Sequence, residues 1–239
     1  MKFYQCEPRS EEWFKMRIGI PTSSDFGKII TPKTLKISSQ AQGYMCRLLA
    51  EWVTGEQEPD FQSEYMIRGQ DLEDDAFAAY ELLTGSETTP GGFFTTSDGM
   101  LGCSPDRLIG ESGDLELKSP LLRTQIGYAL NGLDDEYKCQ VQGRLMIHER
   151  DYVDLFSYHP RFSIPPLRIG RDEKFIGIMR PVLATFVETL LKAREELESR
   201  FGPFVRDVPS KPTVDGLGIT DEDLEAIIMA NENLQQRGF

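Results

Sequence analysis

Apolar and polar positions along the chain repeat with two different periods. A helical period near 3.6 residues runs through four segments, and each predicts a helix with one side facing a core. These predicted helices cover residues 40–54, 66–84, 135–148 and 172–201. Gly55, Gly85 and Gly202 follow three of the segments, where glycine commonly ends a helix.

A shorter helix is predicted just after residue 21. Thr22 is a good N-cap residue, and Asp25 three positions later completes an arrangement like a capping box. Pro32 cannot continue a helix, so this one should end near Ile30.

Strand-like pieces separate the second and third of the long helices. They cover residues 93–95, 100–103, 107–109 and 114–118. Because turn residues lie between them, we expect neighbouring strands of one antiparallel sheet. Strong alternation over 152–158 predicts a further strand after the third helix.

This order of helices and strands indicates an α/β fold with two parts. Residues 1–202 should form one compact domain. Residues 203–239 form a Pro-rich, acidic appendage in which a short capped helix is predicted over about 220–234.

The charge balance narrows the possible partners. The chain has 26 Lys and Arg against 39 Asp and Glu, for a formal net charge of −13. That net charge argues against a protein whose whole surface is positively charged and binds nucleic acid. It leaves room for a local basic groove, or for an acidic site that attracts phosphate once divalent cations fill it. Residues 51–75 hold nine of the acids, and we interpret them mainly as a solvated face.

The cysteines and the hydropathy exclude other classes of protein. The four cysteines, at positions 6, 46, 103 and 139, are far apart, and there are two histidines. We therefore expect neither a zinc or iron–sulfur site nor a disulfide scaffold, but four reduced packing residues. No run approaches the roughly 18 to 20 apolar residues that cross a bilayer, and no apolar leader opens the chain. We expect a cytoplasmic protein with no membrane partner.

The stretch from Asp106 to Lys118 carries the candidate chemistry. Side chains alternate faces along a strand, so Glu116 and Lys118 should share one face while Leu115 and Leu117 pack on the other. Asp106 lies across the predicted turn. Its carboxylate and that of Glu116 could hold one divalent cation, with Lys118 farther along the same face.

Hard oxygen ligands favour Mg²⁺, for which Mn²⁺ can substitute. Such an ion lowers the pKa of a bound water and stabilises charge on a phosphoryl oxygen. Lys118 would position that water and offset negative charge. An E-x-K tripeptide alone is common in solvated hairpins, so the interpretation depends on what surrounds it.

Four motifs follow one another in the order of a known nuclease family. They are Trp13-Phe14-x-x-Arg17-x-Gly19-x-x-Thr22-Ser23-Ser24, Arg68-Gly69-x-x-x-Glu73, Gly102-x-Ser104-Pro105-Asp106 with Glu116-Leu117-Lys118-Ser119-Pro120, and Tyr137-x-x-Gln140-Val141-Gln142-Gly143. Together they resemble the lambda exonuclease or YqaJ-type viral recombinase family, within the PD-(D/E)xK nucleases. The resemblance covers residues 9–158.

The resemblance implies a restriction-endonuclease-like core, with a mixed central sheet flanked by helices and a C-terminal helical appendage. It also implies a Mg²⁺-dependent 5′→3′ exonuclease that acts on the ends of linear double-stranded DNA. The products would be 5′-mononucleotides and 3′ single-stranded overhangs for phage-type recombination. By the same resemblance we expect two metal ions, a ring-shaped homotrimer and a single-strand annealing protein as partner.

Roles for individual residues also come from the resemblance. Asp106, Glu116 and the main-chain carbonyl of Leu117 are expected to bind metal, with Lys118 as the catalytic lysine. Glu73 would be a further catalytic acid and metal ligand. The 5′-phosphate pocket would consist of Arg17, Ser24, Ser104 and Gln140. An arginine fork and a serine in the first turn of a helix both suit an anion.

Other functions remain open from the sequence alone. The chain could be another PD-(D/E)xK nuclease, either an endonuclease or a helicase-associated or CRISPR-adaptation enzyme. It could also be a non-catalytic acidic interaction protein or DNA mimic with a dead nuclease fold. The intact Asp106, Glu116 and Lys118 argue against the last alternative.

Overall fold

A computed structural model describes residues 1–58, 68–69, 71–132 and 137–204 of the protein. The helices there are α1 Glu11–Arg17, a 3-10 helix over Ser23–Asp25, α2 Phe26–Ile29, α3 Ala41–Thr54, α4 Glu73–Thr84, α5 Leu122–Asn131, α6 Tyr137–His148 and α7 Glu173–Phe201. The strands are β1 Lys2–Tyr4, β2 Thr88–Pro90, β3 Phe93–Thr95, β4 Gly102–Cys103, β5 Arg107–Ile109, β6 Gly113–Lys118, β7 Tyr152–Ser157 and β8 Leu167–Gly170.

The strands of the described residues form two sheets rather than the single antiparallel sheet predicted for 93–118. One sheet has the order β1-β3-β4, and the other has the order β2-β5-β6-β7-β8. In the larger sheet β6 and β7 are parallel, whereas the remaining pairs are antiparallel. This is the predicted mixed sheet. Because parallel strands need a crossover, the chain passes through α5 and α6 between β6 and β7.

Strand β6 lies between two layers of helix. Leu115 packs with Tyr80 of α4, Ile109 and Phe156 on one face. The other face carries Asp114 and Glu116 and lies under α6, whose buried apolar residues contact Val153 of the neighbouring strand. The predicted alternation along β6 is thus confirmed, but Glu116 lies under a helix and is 4% exposed rather than open to water.

The largest core cluster joins α2, α3, β3, β4, α6 and α7. Gly143 of α6 permits the closest approach in it, because a Cβ there would lie 2.4 Å from the ring of Phe26. A larger residue would push α2 and the preceding 3-10 helix away from α6. This packing holds the segment around Ser24 beside the helix that carries Gln140.

Several local predictions are wrong. The capping box does not form, because Thr22 makes no cap bond and Asp25 instead pairs with Lys28. Leu83, predicted to face the core, is 61% exposed. Glu51, placed in the solvated acidic block, is buried and accepts hydrogen bonds from Arg47 and the Gly19 amide. The other helix and strand segments agree with prediction to within a few residues where they are described.

The cysteines and the appendage complete the comparison. All four cysteines are free; Cys6, Cys103 and Cys139 are buried as expected, whereas Cys46 is exposed. Helix α7 ends at Phe201, next to the boundary predicted at residue 202. The helix predicted over 220–234 lies outside the described residues. No helix in the described part of the chain is long and apolar enough to span a membrane.

Candidate active site

The hairpin of β5 and β6 brings the predicted metal ligands together. Arg107 of β5 pairs with Leu115, so the same antiparallel register sets Asp106 opposite Glu116. The Leu117 amide donates a hydrogen bond to Asp106 Oδ2 at 2.7 Å. On the other side of the motif, the backbone at Gly91 passes so close that a Cβ there would lie 1.8 Å from the Pro105 carbonyl oxygen. The position of Asp106 is therefore determined by backbone contacts on both sides.

The two carboxylates have different electrostatic surroundings. Burial and the nearby charge of Glu116 raise the pKa of Asp106 above its ordinary value. Burial would also raise the pKa of Glu116, but the cations of Lys118 and Arg144 reverse this and hold it below the ordinary value. Two close acids of this kind are a typical setting for a bound cation, which removes their mutual repulsion.

Lys118 lies next to Glu116, as the strand alternation predicted. Its Nζ atom donates to Glu116 Oε1 and lies 5.0 Å from the centre of the Tyr137 ring. The Lys118 side chain keeps 25% of its surface exposed. An ammonium group that is held but still reaches solvent can contact a water or a phosphoryl oxygen beside the two acids.

Helix α6 presents a row of polar residues to the acidic face of β6. Gln140 Nε2 donates to Glu116 Oε1 at 2.7 Å, and Arg144 Nη2 donates to Glu116 Oε2. Arg144 Nε also lies 3.5 Å from Asp114 Oδ2, which contacts His148 Nε2. The three helix residues follow one another at four-residue spacing, one turn apart. They form a polar ladder over the two acids of β6.

The predicted phosphate-pocket residues are linked around Trp13. Its indole NH donates to Ser104 Oγ at 2.9 Å, and the Arg17 guanidinium lies 4.1 Å from the centre of its ring. Arg17 Nη2 donates to Thr22 Oγ1 at 3.4 Å, and that hydroxyl is 3.1 Å from Ser24 Oγ. Trp13 thus links Arg17 with Ser104, and Thr22 links Arg17 with Ser24. Gln140 is turned toward Glu116 instead.

A cavity of about 240 Å³ opens beside Arg17 and Ser24. Arg47 also lines it, and so do two acids, Asp25 and Glu51, which are paired with Lys28 and with Arg47. Arg17 Nε is buried and has no hydrogen-bond partner among the described residues. A partly buried guanidinium whose Nε donor is unused is suited to an anion that enters the cavity.

The structure does not bring Glu73 to the other predicted ligands. The residue begins α4, and its carboxylate forms an ion pair with Arg9. In the described ranges no group of three or more His, Cys, Asp or Glu residues is arranged to hold a metal ion. The donor set expected at the hairpin comprises the two carboxylates, which the register sets opposite each other, and the Leu117 carbonyl that the family resemblance implies. These hard oxygens fit one Mg²⁺ or Mn²⁺ ion, whose remaining ligands would be water or phosphate oxygens.

Comparison with known proteins confirms the family. The YqaJ-like viral recombinase domain matches residues 12–151, more than half of the chain. The chain belongs to this family. No match was found to a curated protein sequence.

Solved structures of two exonucleases resemble this family member in fold. An alkaline exonuclease, LHK-Exo from Laribacter hongkongensis, is 31% identical with a TM-score of 0.73, over 80% of this chain and 97% of that chain. The same exonuclease has been solved in complex with dAMP, with the same values. A phage-related exonuclease from Haemophilus somnus 129PT is 13% identical with a TM-score of 0.57, over 74% and 96% of the two chains. At that identity the last match supports the fold alone.

Sequence reasoning overlooked three polar residues of this recombinase-family site. Arg144 and Asp114 are buried around Glu116, and Trp13 connects Arg17 with Ser104. One signal was available for Arg144, which falls on the core-facing side of a predicted helix, where a charged residue needs a partner. Its partner could not be identified, because Glu116 lies 28 residues away on another element.

Proposed function

We propose that the protein is a Mg²⁺-dependent 5′→3′ exonuclease on linear double-stranded DNA. It would release 5′-mononucleotides and leave 3′ single-stranded overhangs for phage-type recombination. The observation that carries this proposal is the position of Asp106 opposite Glu116, with Lys118 on the same strand and Leu117 bonded to Asp106. The family and the 31% identical alkaline exonuclease support it. The dAMP bound to that relative is a deoxynucleoside monophosphate, the product class proposed here.

Each residue of the hairpin has a separate task in this proposal. Asp106, Glu116 and the Leu117 carbonyl would hold Mg²⁺, which when bound supplies an activated water and charge stabilisation at the scissile phosphate. Lys118 orients the attacking water and places a positive charge near the phosphoryl oxygens. The buried setting between α4 and α6 strengthens these interactions by excluding bulk water.

The cavity beside Arg17 would determine the polarity of digestion. Arg17 and Ser24 line the cavity and offer donors for a terminal 5′-phosphate. Ser104, which Trp13 links to Arg17, would join them by turning its hydroxyl away from the Gly92 carbonyl, to which it donates here. Gln140 would connect this pocket with the metal site through its bond to Glu116. A phosphate held there positions the next phosphodiester bond at the hairpin, so digestion proceeds from the 5′ end.

A second metal ion is part of the proposal and depends on Glu73. For Glu73 to become a ligand, its carboxylate must release Arg9. The stoichiometry of Mn²⁺ binding in calorimetry would decide between one ion and two.

Assembly and partners are proposed on the family resemblance. A homotrimeric ring would give a solution mass near three times 27.1 kDa. It would let a chain of net charge −13 present a positive channel to DNA, and enclosure would add processivity. A single-strand annealing protein would receive the 3′ overhang.

Digestion of a duplex with a 3′ fluorophore on each strand in turn tests the activity. With Mg²⁺ we expect the strand with a 5′-phosphate to shorten from its 5′ end, and EDTA to stop the reaction. Asp106→Ala should lower the rate by at least about 10², whereas Asp151→Ala, on an exposed turn, should not.

Three other results would contradict the proposal. Early loss of the 3′ label would indicate the opposite polarity, and cleavage of closed circular DNA would indicate an endonuclease. Intact linear DNA at every Mg²⁺ concentration would favour the non-catalytic alternative.

A further inference from the structure

Arg144 is the largest side chain that is fully buried in the described part of the chain. It is 1% exposed, and the acids beside it, Asp114 and Glu116, are 0% and 4% exposed. All three lie between α6 and β6. A guanidinium keeps its charge in proteins, so this position is permanently cationic.

Stability alone gives no reason for a buried charge at this position. Removing charges from water is costly, and apolar residues of similar size often stabilise a core as well or better than a buried ion pair does. The same face of α6 carries Val141 and Leu145, which pack with Val153 in the ordinary apolar way. An apolar residue at position 144 would continue that packing. Stability therefore does not explain the arginine, and we infer that it has a functional role.

Arg144 contacts two carboxylates, those of Glu116 and Asp114. Its Nη2 donates to Glu116 Oε2, and its Nε faces Asp114, two residues earlier on the same strand. Asp114 is contacted in turn by His148, one helical turn beyond Arg144. One guanidinium therefore lies between two carboxylates, with a hydrogen bond to Glu116 and a charge contact to Asp114.

Glu116 has two further donors, but both have other tasks in the proposed reaction. Gln140 and Lys118 donate to Oε1, and they are assigned to the phosphate pocket and to the attacking water. Arg144 alone of these three donates to Oε2, so it holds the carboxylate oxygen that the other two do not contact.

We propose that Arg144 is a positioning residue that holds the Glu116 carboxylate in the orientation needed to bind metal, with Asp114 holding Arg144. This inference rests on the proposed function, since it assigns Glu116 as a ligand. Groups that orient metal ligands typically change metal affinity or activity by about 10- to 100-fold when removed.

Mn²⁺ binding in the absence of DNA tests the idea apart from catalysis. Calorimetric titration with Mn²⁺ would compare wild type, Arg144→Met and Arg168→Met. Arg168 of β8 pairs with the buried Asp154 of β7, so the Arg168→Met variant also removes one positive charge and one arginine–carboxylate pair. We expect at least a tenfold weaker affinity for Arg144→Met and an unchanged affinity for Arg168→Met.

The direction of the change distinguishes a positioning role from the alternatives. Loss of a nearby positive charge by itself would tighten Mn²⁺ binding, and loss of a merely structural contact would lower the melting temperature without changing affinity. Either result would overturn the proposal. In a Glu116→Gln background, Arg144→Met should cause no further loss of Mn²⁺ affinity. The carboxylate that Arg144 is proposed to orient is already absent from that variant.

Arg144→Lys keeps the proposal testable if the methionine variant does not fold. Lysine retains the charge but lacks the fork that reaches both acids, so we expect an intermediate affinity, about threefold to tenfold below wild type. Affinity equal to wild type would contradict the positioning role. If wild type itself bound no Mn²⁺, the proposed function would fail instead, so the two failures are distinguishable.

Discussion

Gln140 on α6 donates a hydrogen bond to Glu116 on β6 over 2.7 Å. The motifs assign the first residue to a phosphate pocket and the second to a metal site. If the motif assignment holds, the two candidate sites would share this side chain. A substitution of Gln140 should therefore change both metal binding and the use of 5′-phosphorylated ends.

Gln140→Met should impair both proposed sites at once. Methionine has a similar length but cannot donate to Glu116, so we expect about a tenfold weaker Mn²⁺ affinity and a lower rate on 5′-phosphorylated ends. Gln42→Met, an exposed glutamine on α3, is the matched control. Calorimetry and the labelled-duplex assay measure the two effects. A loss in one assay with none in the other would contradict the shared role.

Arg17 should determine the preference for a phosphorylated end. Wild type is expected to degrade 5′-phosphorylated duplex faster than 5′-hydroxyl duplex, because the Arg17 guanidinium lines the cavity and would bind the terminal phosphate there. Arg17→Ala should remove most of that preference by slowing the phosphorylated substrate. Lys15→Ala, whose lysine is exposed and pairs within α1, is the control. Equal wild-type rates on both ends would contradict the pocket but not the nuclease.

Trp13→Phe separates two contacts of the indole ring. Phenylalanine keeps a ring under Arg17 but loses the NH that donates to Ser104. We expect the preference for a 5′-phosphate to fall severalfold, while the rate on 5′-hydroxyl ends changes little. The ratio of the two rates is the measurement, and an unchanged ratio would mean that Ser104 needs no such partner.

Gly143→Ala should destabilise the fold, because the new Cβ would lie 2.4 Å from the Phe26 ring. Overpacking of this kind costs about 1 to 3 kcal/mol. Gly177→Ala on α7 is the matched control, since its Cβ would meet nothing within 4 Å. The control should be neutral or stabilising by up to about 1 kcal/mol. Chemical denaturation gives both free energies of unfolding, and similar values for the two variants would contradict the packing argument.

His148 should make the fold less stable in mild acid. Burial lowers the pKa of His148 even though Asp114 acts in the opposite direction, so the folded state binds a proton less readily than the unfolded state. This contribution to stability is present above the ordinary histidine pKa near 6.5 and is lost as pH falls below it, by at most about 1.4 kcal/mol per pH unit.

Unfolding of wild type and His148→Gln at pH 7.5 and pH 5.5 measures that contribution. Glutamine does not titrate in this range and can still donate to Asp114. Wild type should lose more stability than the variant between the two pH values. An equal loss in both proteins would assign the pH dependence to other groups.

The chain's local pattern predicted most of the longer elements, although it did not predict α1, α5, β1, β2 or β8. Apolar periodicity located α3, α6 and α7, because one face of each helix must be buried wherever it packs. Alternation along β6 placed Glu116 and Lys118 on the face opposite Leu115 for the same reason. Motif order was enough to recognise the family, since it depends on residue types and spacing alone.

Partners between distant elements were decided only by the tertiary structure. The sequence suggested one sheet over 93–118, but each strand's neighbours are selected by long-range packing, and β3 and β4 pair in a different sheet from β5 and β6. Glu73 has the right residue type for a ligand, yet it contacts Arg9. Arg144 became part of the site because α6 crosses β6 at Glu116, and no local pattern encodes where two elements cross.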